Sequence, residues 1–277
     1  MTGTIQSLWR YPVKSMSGEE LAVVHVSSRG LAGDRAYALV DKRTNTVGSA
    51  KNARRFGELL KWRVRFSYPP ENGQLPPVMM TMPGGRTLNS ANAETAEALA
   101  KIFGENVSLE SAAPEGLRME IAAGTLGGKF ASTTEVPISG GAPAGTFYNY
   151  APVHIITTST LRELQKACPT GEIAVQRFRP NIIVEHPDAG FVENHWVGRE
   201  VAVGSEVRLR VTIPCPRCVV PTLPRENLNL DPAILRTISE RNRVNLGDYG
   251  DLPCIGVYAE VICEGNIQRG DTVQLSG

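Results

Sequence analysis

The sequence predicts a mainly β protein, and three observations predict it. Short runs of Val, Ile, Thr and aromatic residues alternate with polar ones along most of the chain. Glycine (27) and proline (19) break these runs into short lengths. Helical spacing of apolar residues occurs in only a few segments. Many short strands with few helices indicate closed or sandwiched β sheets.

In chain order, Thr4 to Tyr11 and Leu21 to Ser27 read as strands, the second with Val24 and Val26 on one side and Val23 and His25 on the other. Between them lies a turn-rich link, Tyr11-Pro12-Val13-Lys14-Ser15. After Gly30 and Gly33 a strand is predicted from Asp34 to Val40, followed by a hairpin turn at Asp41–Asn45. Arg63 to Tyr68, Val78 to Met82 and Val107 to Glu110 are further strands. One helix interrupts them, capped by Asn89 or Ser90, carrying Ala96, Leu99, Ile102 and Phe103 inward and stopped by Gly104. From Leu117 to Asn149 the glycines at 124, 127, 128, 140, 141 and 145 predict a long loop, and loops of that length link domains or cover sites. A division into residues 1–120 and 121–277 follows. In the second part Val153 to Thr157 is a strand, and Thr160-Leu161-Arg162-Glu163 has the pattern of a capping box. Strands are predicted at Arg177–Glu185, Trp196–Val203, Glu206–Ile213, Pro253–Cys263 and Thr272–Leu275. Asp231-Pro232 opens a last helix.

Bulk properties narrow the function. A net charge of +1 without a basic block argues against a nucleic-acid surface. No run approaches the roughly 18 apolar residues of a membrane span. No basic start precedes an apolar segment, and five cysteines are scattered through the chain. A cytoplasmic protein in a reducing compartment is expected, with no membrane partner.

The chemistry centres on Pro214-Cys215-Pro216-Arg217-Cys218. A thiolate is both nucleophile and soft metal ligand, and a neighbouring cation lowers a thiol's pKa. Arg217 adjoins Cys218, which makes Cys218 the expected activated thiol. The prolines favour a strand end or loop over a helix. Four readings stay open from these residues: buried thiols in a β core, a zinc site, a dithiol redox pair, and a single thiolate bound to a cofactor. Lys14, Ser15 and Arg35 offer an ammonium, a hydroxyl and a guanidinium suited to a phosphate. Arg177 and Arg179 alternate about Phe178, so on a strand both face one side, toward a carboxylate or an anionic ligand. Asn181 adds donor and acceptor groups for a polar ring system. The four histidines show no metal-ligand spacing.

Tyr11-Pro12-Val13-Lys14-Ser15, Gly33-Asp34-Arg35, Arg177-Phe178-Arg179-Pro180-Asn181 and Pro216-Arg217-Cys218 with Pro221-Thr222 together resemble the MOSC-domain proteins. These are related to the C-terminal domain of molybdenum cofactor sulfurase and to the mitochondrial amidoxime-reducing component. The resemblance implies two β-barrel-like domains, an N-terminal β-barrel domain and the MOSC domain, with the molybdenum cofactor (Mo-molybdopterin) between them. It implies that Cys218 ligates the metal and that Lys14, Ser15 and Arg35 hold the pterin's phosphate. Arg179 and Asn181 would contact the pterin, with Arg177 and Arg217 alongside; Cys215 matches a cysteine that is not the ligand. The implied activity is two-electron reduction of N-hydroxylated small molecules. The 277 residues hold no ferredoxin-type cysteine cluster, so electrons are expected from a separate ferredoxin- or cytochrome b5-like protein. A carrier of cofactor or sulfur without turnover is the alternative. Pyridoxal phosphate is not expected: Lys14 is the one lysine the motifs bring near the site, and it has no Schiff-base setting.

Overall fold

The computed structural model describes residues 2–71, 73–121, 134–138 and 143–276. Its centre is a closed barrel of seven strands: β1 (Thr2–Arg10), β2 (Val153–Thr157), β3 (Ile182–Glu185), β4 (Glu200–Val203), β5 (Val207–Pro216), β6 (Asp251–Cys263) and β7 (Thr272–Leu275). The order around the barrel is β2-β3-β1-β7-β4-β5-β6, and β6 pairs back onto β2 to close it. All contacts are antiparallel except β2 with β3. Closure leaves no edge for another chain to pair with. Alternate residues point inward and form one apolar core, including Ile5, Leu8, Val153, Ile182, Val201, Val207, Val257 and Val273.

The barrel takes one of its strands from the first half of the chain. Strand β1, from the start of the chain, sits between β3 and β7. Residue 120 itself lies within a strand, Arg118–Ile121, which pairs with Thr134–Pro137 and extends a sheet containing Ala38–Asp41 and Thr46–Val47. The long loop expected from Leu117 to Asn149 is therefore corrected over its described part. Leu117, Met119 and Ile121 are buried with a period of two, a signal masked by the glycines that follow. Gly124, Gly127, Gly128, Gly140 and Gly141 lie outside the described residues.

The rest of the first half builds small sheets and a second core around Phe56, Leu59, Trp62, Val64, Met80, Leu99 and Phe103. Helix α1 (Ala93–Phe103) packs here and begins after Asn92, later than the expected caps. Helices α2 (Thr158–Ala167) and α3 (Ala233–Arg241) cover the outside of the barrel through Leu164, Ile234 and Ile238, against Ile156, Ile183 and Ile255. Thr157, not Thr160, caps α2, its hydroxyl accepting from the Thr160 N–H at 3.3 Å. The partner acid is distant in sequence: buried Glu193 accepts from the hydroxyls of Thr157 and Thr160, both at 2.7 Å. A tertiary contact thus replaces the local capping box.

Three strand expectations change at the site. The strand predicted from Asp34 begins at Ala38, leaving Arg35 in a turn with φ 45°. Of Arg177–Glu185 only β3 is a strand; Val175–Phe178 is a helical turn closed by Arg179 in the left-handed region, φ 57°. Of Trp196–Val203 only β4 is extended, and Val192–Trp196 is a 3₁₀ turn.

Candidate active site

A cavity of about 580 Å³ opens where the barrel meets the turns of the first half. Its lining gathers Lys14, Ser15, Arg35, Lys51, Arg179, Asn181, Arg217 and Cys218. These residues come from segments up to 204 positions apart in the chain (218 − 14). No Asp or Glu is among the described lining residues.

One wall is a ribbon of two turns. After β1 the chain runs alongside residues 34–37: Arg35 N–H donates to the Tyr11 carbonyl at 2.8 Å, Tyr37 N–H to that of Pro12 at 2.9 Å, and Lys14 N–H to that of Tyr37 at 2.8 Å. The Tyr11 N–H donates to Asp34 Oδ1 at 2.8 Å. Gly33 at φ 78° lets the second turn form; a Cβ there would press into the Phe66 ring. The ribbon sets Lys14 and Ser15 beside Arg35. Lys14 Nζ donates to the Phe147 carbonyl at 2.6 Å and to Asn149 Oδ1 at 2.7 Å. An ammonium has three donors, so one remains for a ligand. Burial, then the charges of Lys51, Arg35 and Arg179, pushes the Lys14 amine well below the usual lysine range. The Ser15 hydroxyl accepts from Ala50 N–H at 3.0 Å and keeps its own proton to donate.

Asn181 ties this wall together. Its Oδ1 accepts from His154 N–H at 3.1 Å and from Arg35 Nη1 at 3.3 Å; its Nδ2 donates to the Trp9 carbonyl at 3.2 Å and to Asp34 Oδ2 at 3.0 Å. Both amide protons and both lone pairs are engaged within the protein. Arg35 pairs with Asp34 and donates to the Arg179 carbonyl at 3.1 Å. The guanidinium carbons of Arg35 and Arg179 lie 4.6 and 4.3 Å from the Tyr11 ring centre. Burial, then Arg35, pushes Arg179 down to about 9.

The thiol wall departs from expectation. Strand β5 ends at Pro216; beyond it Arg217 and Cys218 both line the cavity, and Cys215 does not. Arg217 Nη1 donates back to Cys215 Sγ at 3.0 Å, and Nη2 to the Phe178 carbonyl at 3.0 Å. The activated thiol read from the adjacency of Arg217 and Cys218 is corrected: the guanidinium serves Cys215. Burial raises the Cys215 thiol, but the charges of His154 and Arg217 and hydrogen bonds from His154 and Tyr258 bring it below its ordinary value. Cys215 is 1% exposed and absent from the cavity lining, whereas Cys218, 8% exposed, lines it. The two sulfurs occupy different environments, which does not suit a dithiol couple.

Arg177 is also corrected. Because Val175–Phe178 is helical, Arg177 and Arg179 diverge. Arg177 is buried outside the cavity lining and donates to the carbonyls of Glu172 (2.9 Å), Pro221 (3.1 Å) and Asn229 (2.9 Å). Backbone oxygens take its hydrogen bonds, the carboxylates of Asp231 and Glu172 act on its charge, and the loop that follows Cys218 is anchored by it. Sequence reasoning missed Lys51, His154 and Tyr258, all of which line the cavity. Lys51 follows the short Gly48-Ser49-Ala50 stretch, which has no motif of its own, and it makes Lys14 one of two lysines at the site.

The donor set fits an anionic cofactor. Arg217 lines the cavity and its buried Nε has no hydrogen-bond partner in the protein, an arrangement that costs free energy unless a ligand accepts from it. Among the described residues no three His, Cys, Asp or Glu side chains converge on a point that could hold a metal ion. The zinc reading therefore has no ligand set here, and a metal beside Cys218 would depend on ligands brought with it.

Comparison with known proteins agrees with this layout. The MOSC N-terminal beta barrel domain matches residues 2–115 and the MOSC domain matches residues 142–274. The human mitochondrial amidoxime reducing component 2 is 31% identical over 134 residues, covering 45% of this chain and 37% of the relative. Its Bos taurus counterpart is 28% identical over 127 residues, 44% and 36%. The match spans little more than a third of each relative's length. Among solved structures, the YUAD protein from Bacillus subtilis aligns over 99% of this chain and 96% of its own at 12% identity, with a TM-score of 0.44. With its two halves matched in order by these two domain families, the chain belongs to the MOSC family and carries the MOSC N-terminal beta barrel domain ahead of the MOSC domain.

Proposed function

We propose that this cavity binds the molybdenum cofactor and that the protein reduces N-hydroxylated compounds with electrons from a separate carrier protein. The observation that carries the reading is one sulfur, Cys218, in a cavity lined by five cations and no described carboxylate. Soft metal ions select thiolate, and phosphate selects Lys and Arg. Lys14, Ser15 and Arg35 would receive the phosphate, Arg179 the pterin, and Cys218 the metal. Arg217 Nε would donate to an anionic group beside that metal. The bound cofactor would supply two-electron chemistry; the chain supplies placement, charge and exclusion of water. The cytoplasmic location and the ferredoxin- or cytochrome b5-like donor belong to the same proposal.

The test is protein made in a cofactor-competent host, assayed with benzamidoxime and an artificial electron donor. Molybdenum-dependent formation of benzamidine is expected. Full loading without turnover would defeat the reductase reading and favour a carrier.

A further inference from the structure

The carbonyls at the end of the helical turn Val175–Phe178 hold three guanidiniums in a row. Arg225 Nη2 donates to the Arg177 carbonyl at 3.0 Å, Arg217 Nη2 to that of Phe178 at 3.0 Å, and Arg35 Nη2 to that of Arg179 at 3.1 Å. The turn stops at Arg179 in the left-handed region, so no further helix takes up these oxygens. Arg35 and Arg217 line the cavity, and Arg225 is absent from its lining. The row nevertheless sets Arg225 next to Arg217, whose own neighbour in the chain is Cys218.

Arg225 is buried although its chain neighbours face water. It stands in a tight hairpin, its N–H donating to the Leu228 carbonyl at 2.8 Å. Glu226 and Asn227 at the tip are exposed, but the Arg225 side chain turns inward and is 6% exposed. Glu226 does not neutralise it, pairing instead with Arg63 at 3.1 Å. Arg225 Nε and Nη1 are buried with no hydrogen-bond partner in the protein. Burial lowers the guanidinium to about 10, with Arg177 and Arg217 acting the same way and Tyr11 and Cys218 against them, so it stays charged at neutral pH. A single bond to the Arg177 carbonyl needs only one neutral donor. A buried cation with two unmet donors costs free energy that this bond does not offset.

Resting on the function proposed above, we infer that Arg225 is a fixed counter-charge behind Cys218 that makes the molybdenum bound there easier to reduce. It is a positioning residue, acting through its charge and not by contact. An electron arriving from the carrier protein adds one negative charge at the metal site, and no bond forms or breaks in that step. A cation held nearby, away from water, lowers the free energy of the added charge. Arg217 Nη1 is engaged by Cys215 at 3.0 Å, whereas no anionic group is bonded to Arg225. Two unit charges about 8 Å apart in an effective dielectric of about 30 change an equilibrium roughly tenfold.

The experiment is a redox titration of the molybdenum-loaded protein, followed by electron paramagnetic resonance, on wild type, Arg225→Gln and Arg225→Lys, with metal content measured on each. Arg225→Gln should bind metal as wild type does, with a midpoint potential lower by about 59 mV, a tenfold change in the one-electron equilibrium constant. Arg225→Lys keeps the charge and should shift by no more than roughly a third of that. Urea unfolding of cofactor-free protein separates charge from scaffold. The midpoint of Arg225→Met should equal or exceed that of wild type, because the variant removes an unpaired buried cation. A wild-type potential in Arg225→Gln would overturn the inference. So would equal shifts in Arg225→Gln and Arg225→Lys, or a urea midpoint in Arg225→Met as low as that of Arg177→Leu. Metal lost from Arg225→Gln and kept by Arg225→Lys would assign the role to charge all the same; metal lost from both would overturn it. The titration needs bound metal and not turnover. A loaded protein that reduces no N-hydroxylated compound therefore sinks the reductase reading alone, and a wild type that takes up no molybdenum removes the inference together with the function it rests on.

Discussion

The two walls of the cavity are built on opposite principles. On the ribbon wall the polar groups are already engaged: Asn181 makes four hydrogen bonds, Arg35 pairs with Asp34, and Lys14 holds two acceptors. On the thiol wall the buried Arg217 Nε has no hydrogen-bond partner in the protein. The first wall is preorganised by the fold, so a ligand gains there without an ordering cost. The second carries an unpaired buried donor that a ligand would relieve. Disruption should therefore unfold one wall and depopulate the other.

The largest effect on stability should come from Asn181→Leu. It takes from the His154 N–H and the Trp9 carbonyl the partner that Asn181 gives them and removes one of the donors to Asp34, and each buried orphan costs about 1–3 kcal/mol. A loss of roughly 3 kcal/mol or more is expected in urea unfolding; a loss below about 1 kcal/mol would show that the network is not what holds the ribbon wall. Arg177→Leu should cost about 2–4 kcal/mol, since three carbonyls lose their donor. It should also speed proteolysis between Pro221 and Asp231, where the loop is anchored.

Cys215→Ala should be milder. It removes the acceptor that orients Arg217, so activity should fall roughly 10-fold, the lower end for an outer-shell group, while metal content stays. Its stability effect should depend on pH. The Cys215 thiol sits below its unfolded value of about 8.5, so its thiolate contributes in full above that pH. The contribution is lost as pH falls through the lowered folded value. The gap between wild type and Cys215→Ala in urea unfolding should thus narrow on acidification, and a pH-independent gap would remove the thiolate from the account. The smallest effect is expected from inorganic phosphate on cofactor-free protein. At a concentration equal to its Kd it should add about 0.4 kcal/mol. Lys14→Met should abolish that increment.

The β class, the barrel strands and the ribbon wall were legible because they rest on local signals: alternation, turn residues and the Lys14-Ser15 and Gly33-Asp34-Arg35 motifs. What was not legible depended on backbone geometry. Arg177 and Arg179 resemble a strand pair, yet a helical turn ending at φ 57° sends them apart. Arg217 and Cys218 are neighbours in sequence, but past the end of β5 the guanidinium turns back onto Cys215. Gly256 hid a further break: at φ 73° it reorients β6, and a Cβ there would strike the Ile155 carbonyl and His154 Nε2. Thus Ile255 faces the helices while Val257 faces the barrel, although strict alternation puts them on one side. Lys51 and Tyr258 reach the cavity only through tertiary folding, and no local pattern marks them.

The central claim is that Cys218, and not Cys215, holds a metal in this cavity. Molybdenum per chain, measured on wild type, Cys218→Ala and Cys215→Ala isolated side by side from a cofactor-competent host, tests it most directly. Near-stoichiometric metal in wild type and Cys215→Ala, with metal lost in a folded Cys218→Ala, is the predicted result. Molybdenum retained by Cys218→Ala, or lost equally from both variants, would contradict it.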